Sequence, residues 1–184
     1  MSAIVLFTGG ARSGKSRCAE RYAARLSEQV VYVATATAGD DEMRDRIARH
    51  QARRPARWRT VEAPTNVAAA LANLLPGTVV VLDCLSLLVS NLLLANESDP
   101  EPAINRELDH LLAVVAQRDL ILIAVTNEVG MGIVPAYPLG RQYRDLLGLA
   151  NQRVATAAAE VYLVVCGIPV ELRALEAVWN RKEP

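Results

Sequence analysis

Aromatic side chains are scarce in this chain of 184 residues: one Phe, two Trp and five Tyr make up 4%. Hydrophobic residues nevertheless account for 52%, so we expect the core to be built from aliphatic side chains. Net charge is also missing, because twenty basic residues balance twenty acidic ones. A neutral chain with few stacking side chains argues against a general binder of nucleic acids or membrane surfaces.

Cysteine is sparse as well, and no extended membrane segment is visible. Cys18, Cys84 and Cys166 lie far apart and form no C-x-x-C pair, which argues against a disulfide framework and indicates a reducing compartment. The most apolar stretch, residues 79–95, contains four polar residues, so a strand that turns into a helix is predicted there. Because the apolar N-terminus runs straight into a glycine-rich segment, we expect no signal peptide and a cytoplasmic protein.

Lysine is the rarest charged residue, with two lysines beside eighteen arginines. Lys15 belongs to a G-x-x-x-x-G-K-S segment that follows an apolar run and precedes a helical pattern, which is the context of a P-loop. Its backbone N–H groups and Lys15 would bind nucleotide phosphates, and the Ser16 hydroxyl would be a ligand of Mg²⁺. The predicted nucleotide-binding residues of this segment are Gly9, Gly10, Ala11, Arg12, Ser13, Gly14, Lys15 and Ser16.

Apolar runs alternate with helical patterns along the whole chain, which predicts one α/β domain over residues 1–184 with a mostly parallel sheet covered by helices. The segment after residue 171 has weak periodicity, and a hairpin or a loose tail is expected there. The predicted strands lie near 3–8, 30–35, 58–62, 78–83, 119–126 and 160–166. The predicted helices lie near 15–27, 40–53, 65–75, 85–96, 101–118 and 141–159.

Asp83 ends one of the apolar strands and is the candidate for the acid on the metal side of the nucleotide site. Parallel sheets bind ligands beyond the carboxyl ends of their strands, so Asp83 should face the P-loop and share Mg²⁺ with Ser16. The alternative interpretation is an Asp that caps the following helix, and the two roles are compatible.

A concentration of positive charge surrounds His50, because seven arginines and one acid lie between residues 44 and 59. Such a cluster suits a triphosphate or pyrophosphate, and a neutral imidazole there could act as a nucleophile on phosphorus. Composition alone favours a solvated basic face with an incidental histidine. An RNA-binding patch is a third interpretation, for which Trp58 offers the only nearby stacking surface. His110, by contrast, lies opposite the apolar stripe of its helix and is predicted to be on the surface.

The segment 126–135, T-N-E-V-G-M-G-I-V-P, directly follows a buried strand. Two glycines and a proline allow an ordered loop at the same sheet edge, where Asn127 and Glu128 would lie near the phosphates. A simple turn into the next helix explains the pattern equally well.

Several of these segments together resemble one known family over nearly the whole chain. It is the bifunctional adenosylcobinamide kinase and adenosylcobinamide-phosphate guanylyltransferase family of cobalamin biosynthesis. The P-loop alone occurs in many proteins, whereas the segment 126–135 after a strand is highly specific. The resemblance rests on Thr8–Ser16, Asp40–Met43 with His50, Trp58–Glu62, Thr126–Pro135 and Asn151–Arg153.

The resemblance implies a RecA-like P-loop fold, a homotrimer, and two reactions on small-molecule substrates. Adenosylcobinamide would be phosphorylated with ATP or GTP, and GMP from GTP would then be transferred to the phosphate. His50 would be the residue that carries GMP, which reverses the interpretation drawn from composition. The resemblance assigns the nucleotide to the P-loop residues and to Ala34, Thr35, Ala36, Gln51, Ala52, Arg53, Arg54, Glu62 and Asp83.

Two positions differ from the family pattern. Arg49 stands where some members have a second histidine, which leaves His50 as the nucleophile. Asp83 stands where others have Glu, which shortens the reach to the metal without changing the charge.

Two alternative functions remain open from the residues themselves. The first is a P-loop kinase of small molecules without nucleotidyl transfer. The second is a nucleotide-dependent switch or assembly ATPase with a macromolecular partner. The sequence has no N-K-x-D guanine motif, and its neutral charge does not favour a nucleic-acid ATPase.

Overall fold

The computed structural model describes residues 2–37, 44, 48, 52 and 54–180, with the side chain of residue 178 left aside. In this part of the chain, seven strands form a single sheet in the order β3-β2-β4-β5-β1-β6-β7. Strands β1 to β6 are parallel, and β7 is antiparallel to β6. The strands are β1 Ala3–Thr8, β2 Val30–Ala34, β3 Arg59–Glu62, β4 Val79–Asp83, β5 Ile121–Val125, β6 Glu160–Val165 and β7 Ile168–Glu171.

Helices cover both faces of the sheet. The helices of the described residues are α1 Lys15–Leu26, α2 Val67–Leu71, α3 Leu85–Ala95, α4 Pro100–Gln117 and α5 Pro138–Ala157. Helix α1 packs with Trp58 on one face, and helices α2 to α5 pack on the other. Because side chains alternate along a strand, β1 sends Ile4 and Leu6 to the four-helix face and Val5 and Phe7 to the α1 face. None of these helices is long and apolar enough to span a membrane.

The sequence predicted the positions of strands β1 to β6 to within about two residues, as expected for apolar runs between turn signals, but it did not predict β7. Helix α2 is shorter than the predicted 65–75, and α5 begins at Pro138 rather than near residue 141. The predicted helix 40–53 lies outside the described residues except for Arg44, Ala48 and Ala52, which are helical and exposed.

The C-terminal hairpin lies earlier in the chain than the segment where it was expected. Cys166 and Gly167, both with positive φ, form the turn between β6 and β7. The described residues after Glu171 form two short 3-10 turns, Arg173–Leu175 and Val178–Asn180.

The strand register brings the predicted site residues to one edge of the sheet. Ala34 at the end of β2 pairs with Glu62 of β3 on one side and Asp83 of β4 on the other. Asp83 in turn pairs with Val125, the last residue of β5. The carboxyl ends of these strands therefore meet the P-loop, which follows β1 at the same edge.

Candidate active site

The loop between β1 and α1 has the backbone conformation that its glycines allow. Gly9 and Gly14 have φ of 152° and 95°, a region that L side chains rarely adopt. A Cβ on Gly9 would lie 2.5 Å from the carbonyl oxygen of Val164, and one on Gly14 would lie 3.1 Å from Cα of Gly167. Gly167 also donates its N–H to the carbonyl of Ser13 at 2.8 Å. The turn of the β6–β7 hairpin thus supports the P-loop from behind.

Lys15 is buried at the start of α1, with 8% of its surface exposed. Its Nζ donates to the carbonyl oxygen of Gly10 at 3.1 Å, so the ammonium group lies across the loop. The first turn of α1 carries no acidic residue that would neutralise the positive end of the helix dipole. The ammonium, the dipole and the loop amides together form a site for an anion such as a phosphate.

Ser16 and Asp83 come together across the α1 face of the sheet. The Ser16 hydroxyl donates to Oδ1 of Asp83 at 3.4 Å, although the two residues are 67 positions apart. A hydroxyl and a carboxylate are oxygen ligands of the kind that Mg²⁺ prefers, so the pair fits this ion. Among the described residues no group of three or more His, Cys, Asp or Glu side chains could hold a metal. A magnesium ion here would take its other ligands from nucleotide phosphates and water, as is usual for Mg²⁺.

The other oxygen of Asp83 is bound by a residue that was not predicted from the sequence. Tyr32, with 2% of its surface exposed, donates its hydroxyl to Oδ2 of Asp83 at 2.5 Å. Burial, and then the negative charge of Asp83, raise the pKa of Tyr32 far above its ordinary value, so the phenol remains a proton donor. The signal in the sequence was weak: a single tyrosine in an otherwise aliphatic strand.

Arg54 packs against the ring of Tyr32. Its guanidinium lies 3.5 Å above the centre of the Tyr32 ring, a cation–π geometry. Its Nη1 donates to the hydroxyl of Thr60 at 2.9 Å. Arg54 therefore contacts Tyr32, which binds the Asp83 carboxylate. In the sequence, Arg54 lies four residues after His50.

Arg54 also lines a cavity of about 500 Å³ beside α1. Of the described residues that line this cavity, three carry a guanidinium group and one carries a carboxylate, so their summed charge is positive. These lining residues are Arg17, Glu20, Arg21, Ala24, Arg54, Pro55 and Trp58. They favour an anionic ligand over a cation in the cavity.

The predicted segment Ala34–Ala36 lies at the end of β2, beside Asp83. Thr35 is fully buried, and its hydroxyl donates to the carbonyl of Cys84 at 2.8 Å and accepts from the N–H of Cys84 at 2.7 Å. Asn91 donates to the carbonyls of Thr35 and Pro64, each at 2.9 Å. Thr35 thus fixes the backbone of Cys84, directly after Asp83, and Asn91 fixes the backbone of Thr35. Glu62 is exposed at the adjacent strand end.

The loop after β5 is ordered against the P-loop at its start. The N–H of Glu128 donates to the carbonyl of Gly9 at 3.1 Å. The buried Thr126 hydroxyl donates to Asn151 at 2.7 Å, and Asn151 donates to the carbonyl of Asn127 at 3.0 Å. Asn127 donates to Ser86 at 3.1 Å, which links this loop to the start of α3.

Some of the predicted site residues lie together, and others lie outside the described residues. Ser16 of the P-loop contacts Asp83, Ala34 pairs with Asp83 in the sheet, and Arg54 is connected to Asp83 through Tyr32. His50, Gln51 and Arg53 lie outside the described residues, and Ala52 is described as an exposed helical position. His110 is exposed, as its helical position predicted. The structure adds Tyr32, Asn91 and Gly167, whose roles depend on contacts across strands that no short motif encodes.

The parallel sheet, the phosphate-binding loop after β1 and the acid after β4 define a P-loop nucleotide-binding protein. The crystal structure of the RadB recombinase is similar in fold, with a TM-score of 0.51 at 15% sequence identity over 88% of this chain and 73% of that one. This similarity confirms the predicted RecA-like fold.

The family model for cobinamide kinase / cobinamide phosphate guanyltransferase matches residues 5–172, and the chain belongs to this family of bifunctional enzymes. Among its relatives is the bifunctional adenosylcobalamin biosynthesis protein CobU of Salmonella typhimurium, 45% identical over 181 residues, which cover 92% of this chain and 99% of the relative. The corresponding protein CobP of Pseudomonas aeruginosa is 45% identical over 169 residues, 91% of this chain and 96% of that protein. The predicted family and enzyme class are thereby confirmed.

Proposed function

We propose that this chain phosphorylates adenosylcobinamide with ATP or GTP and then transfers GMP from GTP to the new phosphate through a guanylyl-histidine at His50. The observation that carries the proposal is the P-loop with the Ser16–Asp83 pair, found in a chain of the cobinamide kinase and guanyltransferase family. Kinase and guanylyl transfer both require a bound nucleoside triphosphate, and the geometry of residues 9–16 suits one.

In the kinase step the substrate hydroxyl attacks the γ-phosphorus, and the nucleoside diphosphate leaves. Lys15 and the loop amides hold the phosphates and stabilise the charge that accumulates on their oxygens. Ser16 and Asp83 would hold Mg²⁺, which when bound offsets phosphate charge. Because the loop is supported by the hairpin turn and by the Glu128 N–H, these donors are positioned before the substrate binds.

In the guanylyl transfer step an imidazole nitrogen of His50 attacks the α-phosphorus of GTP, and pyrophosphate leaves. The phosphate of the cobinamide substrate then attacks the same phosphorus, the P–N bond breaks, and adenosylcobinamide-GDP forms. We assign the departing pyrophosphate to the side of Arg54 and the other arginines of the 500 Å³ cavity, whose charge would stabilise it. Arg54 lies four residues after His50 in the sequence and contacts Tyr32.

The chain offers a well-matched test, since it contains two histidines. Purified protein is incubated with Mg²⁺ and α-³²P-GTP without an acceptor, and the radioactivity that stays on denatured protein is counted. Wild type and His110→Ala should both retain label that is lost in acid and kept in base, as a phosphoramidate is. His50→Ala should retain none.

Other results would point elsewhere. Label that is equal on wild type and His50→Ala would exclude His50 as the carrier. An absence of label on every variant, together with intact nucleotide binding and phosphorylation of the substrate, would identify a kinase without nucleotidyl transfer. Hydrolysis stimulated by a polymer, without any small-molecule acceptor, would identify an assembly ATPase.

We further propose that the enzyme is a cytoplasmic homotrimer. Several large apolar side chains in the loop after β5 are exposed on a single chain, including Met131 at 81% and Ile133 at 98%. Exposed apolar patches of this kind are typical of interfaces. Sedimentation velocity should give three times the 19.9 kDa of one chain, and a monomer mass at micromolar concentration would contradict the trimer.

A further inference from the structure

We propose that Tyr32 is a positioning residue that holds the Asp83 carboxylate in the orientation needed for magnesium. The inference rests on the proposed function, because it assumes that Ser16 and Asp83 hold Mg²⁺. It assigns a role in metal binding to a buried side chain outside the Ser16–Asp83 pair.

The two carboxylate oxygens of Asp83 have different partners. The phenol of Tyr32 binds Oδ2 at 2.5 Å, and the hydroxyl of Ser16 lies 3.4 Å from Oδ1. With Oδ2 bound to Tyr32 from within the protein, the carboxylate is oriented so that Oδ1 lies on the side of Ser16. A carboxylate that is already oriented loses less conformational freedom when it binds an ion.

The side chain of Tyr32 is itself held firmly in the core. Its ring belongs to the buried cluster on the α1 face, in contact with the core formed by strands β1, β4 and β5. The register pairs Tyr32 with Val81, two residues before Asp83 on the same face of the sheet, so the phenol reaches diagonally across the strands. Because the ring is held in this way, the hydroxyl of Tyr32 has a defined position relative to Asp83.

Tyr32 is also in contact with Arg54. The guanidinium covers the outer face of the Tyr32 ring at 3.5 Å and is itself held by Thr60 at 2.9 Å. The chain of contacts therefore runs from Arg54 through Tyr32 and Asp83 to Ser16. These contacts connect Arg54, which follows His50 in the sequence, with Ser16 of the P-loop.

The experiment measures GDP binding by isothermal titration calorimetry, without Mg²⁺ and with saturating Mg²⁺. The ratio of the two dissociation constants is the magnesium effect, and it is independent of how much protein is folded. In Tyr32→Phe the packing and the stacked Arg54 are kept, and only the hydroxyl is lost. We expect unchanged affinity without Mg²⁺ and a magnesium effect reduced by roughly tenfold, as for the loss of a hydrogen bond to a charged group.

The matched control is Tyr22→Phe, which removes a hydroxyl that donates to another carboxylate, Glu160, at 2.9 Å. Its magnesium effect should equal that of wild type. Asp83→Asn should abolish the magnesium effect. Weaker GDP binding by Tyr32→Phe in the absence of Mg²⁺ would instead assign Tyr32 a structural role independent of the metal.

The two hypotheses fail in different ways. If Asp83→Asn keeps the full magnesium effect, the proposed metal site is wrong. If Asp83→Asn loses the effect while Tyr32→Phe keeps it, the metal site stands and the inference about Tyr32 is overturned.

Discussion

At the scale of single residues, the phosphate loop depends on positions that exclude a side chain. Gly9→Ala would place a Cβ 2.5 Å from the carbonyl oxygen of Val164 at a φ of 152°. We expect destabilisation of about 1–3 kcal/mol from strain, together with weaker nucleotide binding, as measured by urea unfolding and GDP titration.

Gly148 provides the control for this substitution, because it lies in α5 and a Cβ added there would meet nothing within 4 Å. Gly148→Ala should stabilise the protein by about 0.5–1 kcal/mol, since alanine is the better helix former. Equal effects of the two substitutions would contradict the argument from conformation and contact.

A second prediction at this scale concerns the buried hydroxyl of Thr126. Thr126→Val keeps the shape of the side chain and leaves Oδ1 of Asn151 without the donor that now lies at 2.7 Å. We expect a loss of about 1–3 kcal/mol in the free energy of unfolding, the cost of an unsatisfied buried acceptor. Thr78→Val removes a hydroxyl that donates to the Leu75 carbonyl in an exposed turn, and it should cost less. Urea unfolding curves of Thr126→Val and Thr78→Val measure and compare the two losses in the free energy of unfolding.

The sequence predicts the placement of residues at this sheet edge well where the motif is local. The P-loop fits one compact turn, and Asp83 directly ends an apolar run, so both could be predicted. Tyr32 could not, because its partner Asp83 lies 51 residues away and the contact depends on the strand register. The hydroxyl of Thr35 likewise binds Cys84 across two strands, 49 residues away.

At the scale of elements, Glu171 joins the hairpin to the first 3-10 turn. Its carboxylate accepts from the N–H groups of Val161, Arg173 and Ala174. Burial acts to raise the pKa of Glu171, but the three N–H donors and the charge of Arg173 outweigh it, so the pKa lies below its ordinary value. Ionised Glu171 therefore stabilises the folded state above the pKa of the unfolded chain, and this contribution is lost as the pH falls through the lowered folded-state pKa.

Glu171→Gln should accordingly lower stability at neutral pH by about 1 kcal/mol or less, since solvent screens a partly exposed carboxylate. The difference from wild type should shrink as the pH falls below the ordinary range of glutamate. Urea unfolding of wild type and Glu171→Gln from about pH 7 to about pH 3 measures this difference. A difference that is constant over this range would show that ionisation is not the cause.

Elements with a strong hydrophobic period were predicted best. The apolar strands appear where expected, since buried parallel strands are nearly continuous apolar runs. Helix ends were less accurate: α5 starts at Pro138, a residue favoured in the first helical turn, ahead of the first regular apolar positions. The β6–β7 turn at Cys166 and Gly167 has few of the usual turn signals, and its place follows from packing against the P-loop.

At the scale of the whole molecule, the three cysteines report on folding. Cys18 and Cys84 are buried, and Cys166 is exposed at the hairpin turn. Burial, and then the nearby charge of Asp83, also raise the pKa of the Cys84 thiol, which further lowers its reactivity. Ellman's reagent should therefore titrate one thiol rapidly in the native protein and all three in denaturant. Rapid reaction of two or three thiols in the native state would contradict the core described above.

The strand order also bears on how the chain emerges from the ribosome. β1 precedes the other described strands in the chain, yet its two neighbours are β5, whose Ile121 pairs with Ala3, and β6, whose Glu160 pairs with Val5. A nascent chain that stops before residue 121 carries every letter of the phosphate-binding motif but lacks both strands that hold it in place. Bound nucleotide therefore stabilises the nascent chain only after β5 and β6 have been synthesised.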